Sequence, residues 1–255
     1  MHTTQTFQDY FSRQATGYAK HRPQYPSALF EYLASLVASR ERAWDCATGN
    51  GQAALGLTPF FQTIIATDAS EQQIHNATPH EKISYVVAQS ERSPIASHLI
   101  DVVTIAQAMH WLDFGRFYAE MNRVVRMGGV IAAWCYGWTQ IEPKIDDVIR
   151  AYQNEIVGSC WPPERRYVDE EYATIPFPFE EIHPPTFVVE KRWNMHDLIG
   201  YLETWSSTRR FIERNNENPV GRVIHHLENA WGEPTQQKLV RWKLSLRVGR
   251  VYPRV

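Results

Sequence analysis

Residues 44–52, Trp44-Asp45-Cys46-Ala47-Thr48-Gly49-Asn50-Gly51-Gln52, constrain this chain more than any other segment. An acidic residue leads straight into a turn of small residues, and an apolar, helix-compatible run follows over 53–57. A second apolar run, 63–67, ends on Asp68. Strand, glycine turn, helix, then a strand closed by an acid is a βαβ unit, which commits the chain to a parallel sheet with helical crossovers. Such a unit suits a nucleoside. Glycines let backbone approach a ligand, and an acid at the second strand's tip accepts hydrogen bonds from ribose hydroxyls. The place of Asp45 selects among nucleosides, because a carboxylate ahead of the turn repels a pyrophosphate and holds a ligand that carries an ammonium group.

Two frames fit the turn. Gly49-x-Gly51-x-x-Ala54 matches the dinucleotide pattern with its permitted terminal alanine, and Asp68 stands near the expected distance behind it. That frame leaves Asp45 unexplained. The other, Asp45-Cys46-Ala47-Thr48-Gly49-Asn50-Gly51, resembles the D-x-G-x-G-x-G turn of class I S-adenosylmethionine-dependent methyltransferases, with Ala47 where the family has its first glycine. A methyl group there requires that Ala47 keep a negative φ.

Downstream segments are similar to that family in order. A third strand over 83–88 runs into Gln89-Ser90-Glu91-Arg92-Ser93-Pro94, which resembles G-D-A-E-x-L-P. A fourth strand, 101–106, precedes Gln107-Ala108-Met109-His110-Trp111. A helix carrying Phe114, Phe117, Met121 and Val124 then leads through Gly128-Gly129 to a fifth strand over 130–136. Tyr18-Ala19-Lys20-His21-Arg22-Pro23-Gln24-Tyr25-Pro26 and Ala108-Met109-His110-Trp111 resemble the Y-x-x-x-R-P-x-Y-P and A-x-H-W segments of a subgroup similar to trans-aconitate methyltransferases.

The resemblance implies S-adenosyl-L-methionine as cofactor. Asp45 would take the methionine ammonium, Ala47, Gly49 and Gly51 the close backbone approach, and Asp68 the ribose. Gln89 and Ser90 would meet the adenine edge, and Ala106 and Gln107 would lie beneath the sulfonium. Each has a plainer reading: Asp45 and Asp68 as caps of the helices that follow, the glycines as ordinary turn residues. His110 is the candidate catalytic residue, accepting a proton from a hydroxyl acceptor or donating to a carboxylate, or else closing a turn by hydrogen bonding. Tyr18, Arg22 and Tyr25 form a candidate lid. Trp111, Trp134, Tyr136 and Trp205 are candidate walls for a planar acceptor.

Periodicity extends the fold past the fifth strand. A helix over 142–156, a strand over 187–193 and helices to Trp231 precede a closing strand, in which Val240, Trp242, Leu244, Leu246 and Val248 alternate with polar residues or glycine. The expected architecture is a Rossmann-like, doubly wound α/β fold. Its seven strands are mostly parallel, and by resemblance the last lies antiparallel between the fifth and sixth. One methyltransferase domain spans 1–255, with a helical lid (1–40), a cofactor-binding core (41–137), a helical cap (138–178) and closing strands and helices (179–255).

A chain of 255 residues can bury a sizeable core. Its net charge of −2 gives no general pull toward nucleic acid or anionic membrane. Arg165-Arg166 and Arg209-Arg210 read as solvated surface. His225-His226 lacks partners at ligand spacing, so no metal is expected. Three cysteines without a C-x-x-C pair, and an N-terminus with no secretory pattern, point to the cytoplasm. Methyl transfer to a carboxylate or hydroxyl oxygen of a small molecule, by a monomer or homodimer, is the expected function. A nicotinamide-dependent oxidoreductase and a cofactor-binding protein without catalysis are the alternatives.

Overall fold

The computed structural model describes residues 24–252. Five parallel strands form its centre: β1 (Arg42–Cys46), β2 (Thr63–Asp68), β3 (Ile83–Val87), β4 (Ile100–Ala106) and β5 (Val125–Cys135). They lie in the order β3-β2-β1-β4-β5, each parallel to its neighbour. The chain moves outward from β1 to β3 and then returns to the other side of β1 for β4. The crevice between the carboxyl ends of β1 and β4 is therefore the topological switch point, where open α/β sheets take their ligands.

The central strands are apolar on both faces because both faces are covered. On β5, Val130, Ala132 and Trp134 join one core, while Ile131, Ala133 and Cys135 join the other. The first core holds α1 (Ser27–Ser35), through Leu29, Phe30 and Leu33, and α2 (Gln52–Leu57), through Ala53, Ala54 and Leu57. The second holds α4 (Phe114–Val124), whose Phe117, Met121 and Val124 recur at helical spacing on one face. Asp113 caps that helix by accepting from the Arg116 N–H at 3.1 Å. Between them lies α3 (Glu71–His75), capped by Ser70.

The closing strand is the longest of the sheet. Its second half pairs antiparallel with β5, from Cys135↔Ser245 to Val130↔Arg250, and its first half pairs antiparallel with the strand Phe187–Trp193. The last strand thus lies where the family resemblance places it. The strand count differs: nine strands are present among the described residues, not seven. The additions are β6 (Thr139–Gln140) and β7 (Glu180–Ile182), which make Phe187–Trp193 β8 and Lys238–Arg250 β9. Segments of two and three residues are too short for alternation to register as a pattern. β5 also starts at Val125 rather than 130, with an irregular register opposite Ile100 and Val102.

After β6 come α5 (Pro143–Ala151), a π turn over Tyr152–Ile156, a 3-10 turn over Gly158–Cys160 and α6 (Arg165–Asp169). The helices α7 (Met195–Glu203), α8 (Ser206–Asn215) and α9 (Ile224–Trp231) separate β8 from β9. In α7 a capping box joins Asn194 and Asp197. No helix among the described residues is long and apolar enough to cross a membrane.

Candidate functional site

The turn after β1 carries three left-handed residues in alternation: Ala47 (φ 53°), Gly49 (φ 57°) and Gly51 (φ 85°). The expectation of a negative φ at Ala47 is therefore wrong. The chain adopts the conformation that the missing glycine would have taken, at a cost of about 1–2 kcal/mol for a residue with a Cβ. Hydrogen bonds hold it there. The Thr48 N–H donates to the Thr67 carbonyl at 2.9 Å, and the Gly51 N–H to the Thr48 carbonyl at 3.0 Å.

Two carboxylates brace the turn from beneath. Asp45 is fully buried. Its Oδ1 accepts from the Thr104 hydroxyl at 2.7 Å, and its Oδ2 from the Thr48 hydroxyl and from the Ala54 N–H, at 3.0 Å, in the first turn of α2. The helix-capping role is thus present in the structure. Burial pushes the carboxyl up to about 6, and repulsion from Asp68 adds to the rise, while the three hydrogen bonds oppose it. Asp45 has no cationic partner among the described residues. Asp68, at the tip of β2, accepts from the Gly49 N–H at 2.8 Å and the Ser70 N–H at 2.9 Å.

The two glycines differ. A Cβ on Gly51 would stand 2.2 Å from the Tyr85 hydroxyl and 3.0 Å from its ring, so a tyrosine of β3 already fills that space. A Cβ on Gly49 would meet only the Gln73 amide oxygen, at 3.9 Å. Gly49, not Gly51, is where backbone lies open to a ligand.

The loop after β3 places Gln89 in solvent and buries Ser90 against Cys46, to whose thiol it is hydrogen-bonded. Sequence reasoning missed the residue that fixes this loop. Glu120 on α4 accepts from the Ser93 N–H at 2.7 Å and the Ser93 hydroxyl at 2.6 Å, while Arg123 donates to it.

At the end of β4 the chain turns sharply. Ala106 is half-buried, and Gln107 takes a left-handed conformation (φ 57°) with its N–H on the Trp134 carbonyl at 2.9 Å. Beyond Gln107 opens a cavity of about 80 Å³. His110, Trp111, Tyr136 and Trp205, all candidates from the sequence, line it together with Trp161, Arg165 and Tyr201. The last three come from the end of the 3-10 turn, α6 and α7, and no local pattern marks them as neighbours of His110. Trp134 lies elsewhere, fully buried in the core, with the Tyr25 ring edge-on at 5.2 Å. Tyr18 and Arg22 lie outside the described residues.

His110 is buried, with Nδ1 2.8 Å from the Tyr172 hydroxyl. Burial, and secondarily the positive charge of Arg165, drives its pKa down to about 3, so the ring is neutral at physiological pH. Arg165 rests its guanidinium on the Trp161 ring at 4.3 Å and donates from Nε to Asp169 at 2.8 Å. No metal-binding group of His, Cys, Asp and Glu occurs among the described residues. All three cysteines are buried and free.

A glycine turn flanked by two carboxylates, one of them at the tip of β2, and a cavity past β4 lie along the carboxyl edge of one sheet, which defines a nucleoside-cofactor-binding α/β domain. A family profile described as a methyltransferase domain matches residues 44–133. A Dictyostelium discoideum protein named as a methyltransferase is 31% identical, over 90% of this chain and 89% of its own. A solved structure from Anaeromyxobacter dehalogenans, described as a type II methyltransferase, shares 41% identity, with a TM-score of 0.85 over 91% of this chain and 99% of that one. The yeast protein CRG1, named as an S-adenosylmethionine-dependent methyltransferase, is 27% identical over 52% of this chain and 48% of its own. The chain belongs to the class I S-adenosylmethionine-dependent methyltransferases. Its cofactor is S-adenosyl-L-methionine, and the oxidoreductase alternative is not favoured.

Proposed function

We propose that this enzyme methylates a carboxylate or hydroxyl oxygen of a small organic molecule, within the subgroup similar to trans-aconitate methyltransferases. The observation that carries the reading is the cavity beyond the carboxyl ends of β4 and β5, walled by Trp111, Tyr136, Trp161, Tyr201 and Trp205, with Arg165 and His110 among its lining. Aromatic walls suit a planar or apolar body, and a guanidinium suits an acidic group.

The turn fits the cofactor it would hold. Asp45 is a buried anion with no cation beside it, which matches an ammonium and opposes a diphosphate. Gly49 leaves the backbone open, and Asp68 would accept from ribose hydroxyls. Gln89 and Ser90 would meet the adenine edge, and Ala106 and Gln107, the second of which lines the cavity, would lie beneath the sulfonium. When bound, the cofactor supplies an electrophilic methyl group on a sulfonium. The protein's part is to align the acceptor oxygen with it and to keep water out.

Calorimetry with S-adenosylhomocysteine on the wild type, Asp45→Asn and Asp68→Asn tests the cofactor half. A panel of small carboxylic acids and phenols with radiolabelled S-adenosylmethionine tests the acceptor half. Binding that weakens in both variants, with methyl transfer to an oxygen acid, supports the reading. Unchanged affinity in both variants, or label appearing only on protein or RNA, overturns it.

A further inference from the structure

We infer that Tyr172 is a positioning residue that locks His110 as a neutral Nε2–H donor facing the acceptor, so that His110 and Arg165 together select a substrate whose oxygen is already anionic. The inference rests on the acceptor-pocket reading above and narrows it from carboxylate or hydroxyl to carboxylate.

Tyr172 is fully buried, and its hydroxyl has one acceptor within reach among the described residues, His110 Nδ1 at 2.8 Å. A phenol that did not donate to that nitrogen would leave a buried O–H unsatisfied, at a cost of about 1–3 kcal/mol. The hydroxyl therefore donates, Nδ1 accepts, and the ring proton of the neutral imidazole sits on Nε2. Nε2 has no partner among the described residues, and His110 lines the cavity. With Nδ1 taken by Tyr172 and the proton on Nε2, His110 has no free nitrogen with which to deprotonate a hydroxyl.

The backbone around Tyr172 is built for this contact. Glu171 (φ 53°) and Tyr172 (φ 63°) are consecutive left-handed residues, and neither is glycine. Strain of that kind persists only where surrounding contacts over-determine it. Here Arg247 of β9 supplies them, donating to the Tyr172 carbonyl at 3.1 Å and the Ile175 carbonyl at 2.6 Å. Arg165 completes the cavity's polar end. Its Nε is held by Asp169, and its two terminal nitrogens have no partner among the described residues. A carboxylate bound there would meet N–H donors from both His110 and Arg165. Its lone pair forms the new C–O bond as the C–S bond breaks and its electrons stay on sulfur, so no proton has to leave.

The test reads the tautomer directly. In 1H–15N multiple-bond spectra of the full chain labelled in histidine, His110 should show a protonated Nε2 and a bare Nδ1 throughout about pH 5–8. In Tyr172→Phe an Nδ1-protonated fraction should appear, a change that a purely structural role for the hydroxyl would not produce. With S-adenosylhomocysteine present, benzoate should shift the Nε2 resonance and bind roughly tenfold tighter than benzamide, and Arg165→Gln should remove that preference. Protonation at Nδ1 in the wild type, titration of His110 within that range, or equal binding of the two probes would overturn the inference. The wild-type spectrum needs neither ligand nor variant. Loss of S-adenosylhomocysteine binding would strike the cofactor reading instead.

Discussion

The glycine turn and the aromatic cavity share one edge of the sheet but are built in opposite ways. In the turn, residues close in sequence do the work: Asp45, Ala47, Thr48, Gly49 and Ala54 all belong to one strand–turn–helix passage. In the cavity, His110, Trp161, Arg165 and Tyr201 come from four separate segments. The turn is fixed by backbone conformation and by hydrogen bonds, several of them reaching to β2 and β4, whereas the cavity is fixed by packing between elements. Substitutions in the turn should therefore register mostly as stability and cofactor affinity, and those in the cavity as acceptor choice.

The largest effect should come from Asp45. Asp45→Ala strips the acceptor from two hydroxyls and one helix N–H in a fully buried place, and should cost about 3 kcal/mol or more of stability in denaturant unfolding. S-adenosylhomocysteine binding should be lost with it. A wild-type-like midpoint would show that the turn does not depend on that carboxylate and would blur the contrast with the cavity.

Asp45 also carries a pH signature. Its folded carboxyl stands at about 6, above an unfolded value near 3.8, because burial disfavours the charge. A raised acid holds a proton that the unfolded chain has released. Its contribution to the stability of the free protein is therefore fully present below about pH 4 and lost as pH rises through 6, roughly 3 kcal/mol in all. Wild type minus Asp45→Asn should show that decline in thermal or urea unfolding between those limits. An ammonium beside Asp45 favours the ionised form, so S-adenosylhomocysteine should bind more tightly as pH climbs over the same window. A flat difference curve would mean the carboxylate is ionised throughout.

The two glycines sharpen the comparison within the turn itself. Gly51→Ala must displace the Tyr85 ring as well as strain the backbone, and should cost about 2–3 kcal/mol. Gly49→Ala meets only the Gln73 amide oxygen, at ordinary contact distance, so its stability cost should be nearer 1 kcal/mol while cofactor affinity falls. Equal losses of affinity without that difference in stability would give both glycines the same role.

What the sequence revealed follows the same division. The parallel core, the acid–glycine turn and Asp68 were legible because each is written over a few consecutive residues with a fixed period. Short β6 and β7 were not, since a two-residue strand exists only through its pairing with β9. Arg165 read as surface because charge alone does not reveal that Trp161 and Asp169 fold it over a cavity. Trp134 read as a wall because aromatic content says nothing of which sheet face a residue occupies, and its face is the one beneath α1.

Ala47 is where a local rule failed inside the legible region. Its methyl group was expected to exclude a left-handed backbone, yet φ is 53°. The turn's geometry is therefore set by its neighbours: Asp68 holding the Gly49 N–H and Thr67 accepting from Thr48 leave no other path for residue 47. If that is correct, Ala47→Gly relieves about 1 kcal/mol of strain, partly offset by the greater freedom of glycine in the unfolded chain. Unfolding in urea should show a small net gain, at most about 1 kcal/mol, with S-adenosylhomocysteine affinity unchanged. A loss of stability would mean that the alanine methyl makes packing contacts worth more than the strain, and that residue 47 is held by its side chain as well as by the hydrogen bonds around it.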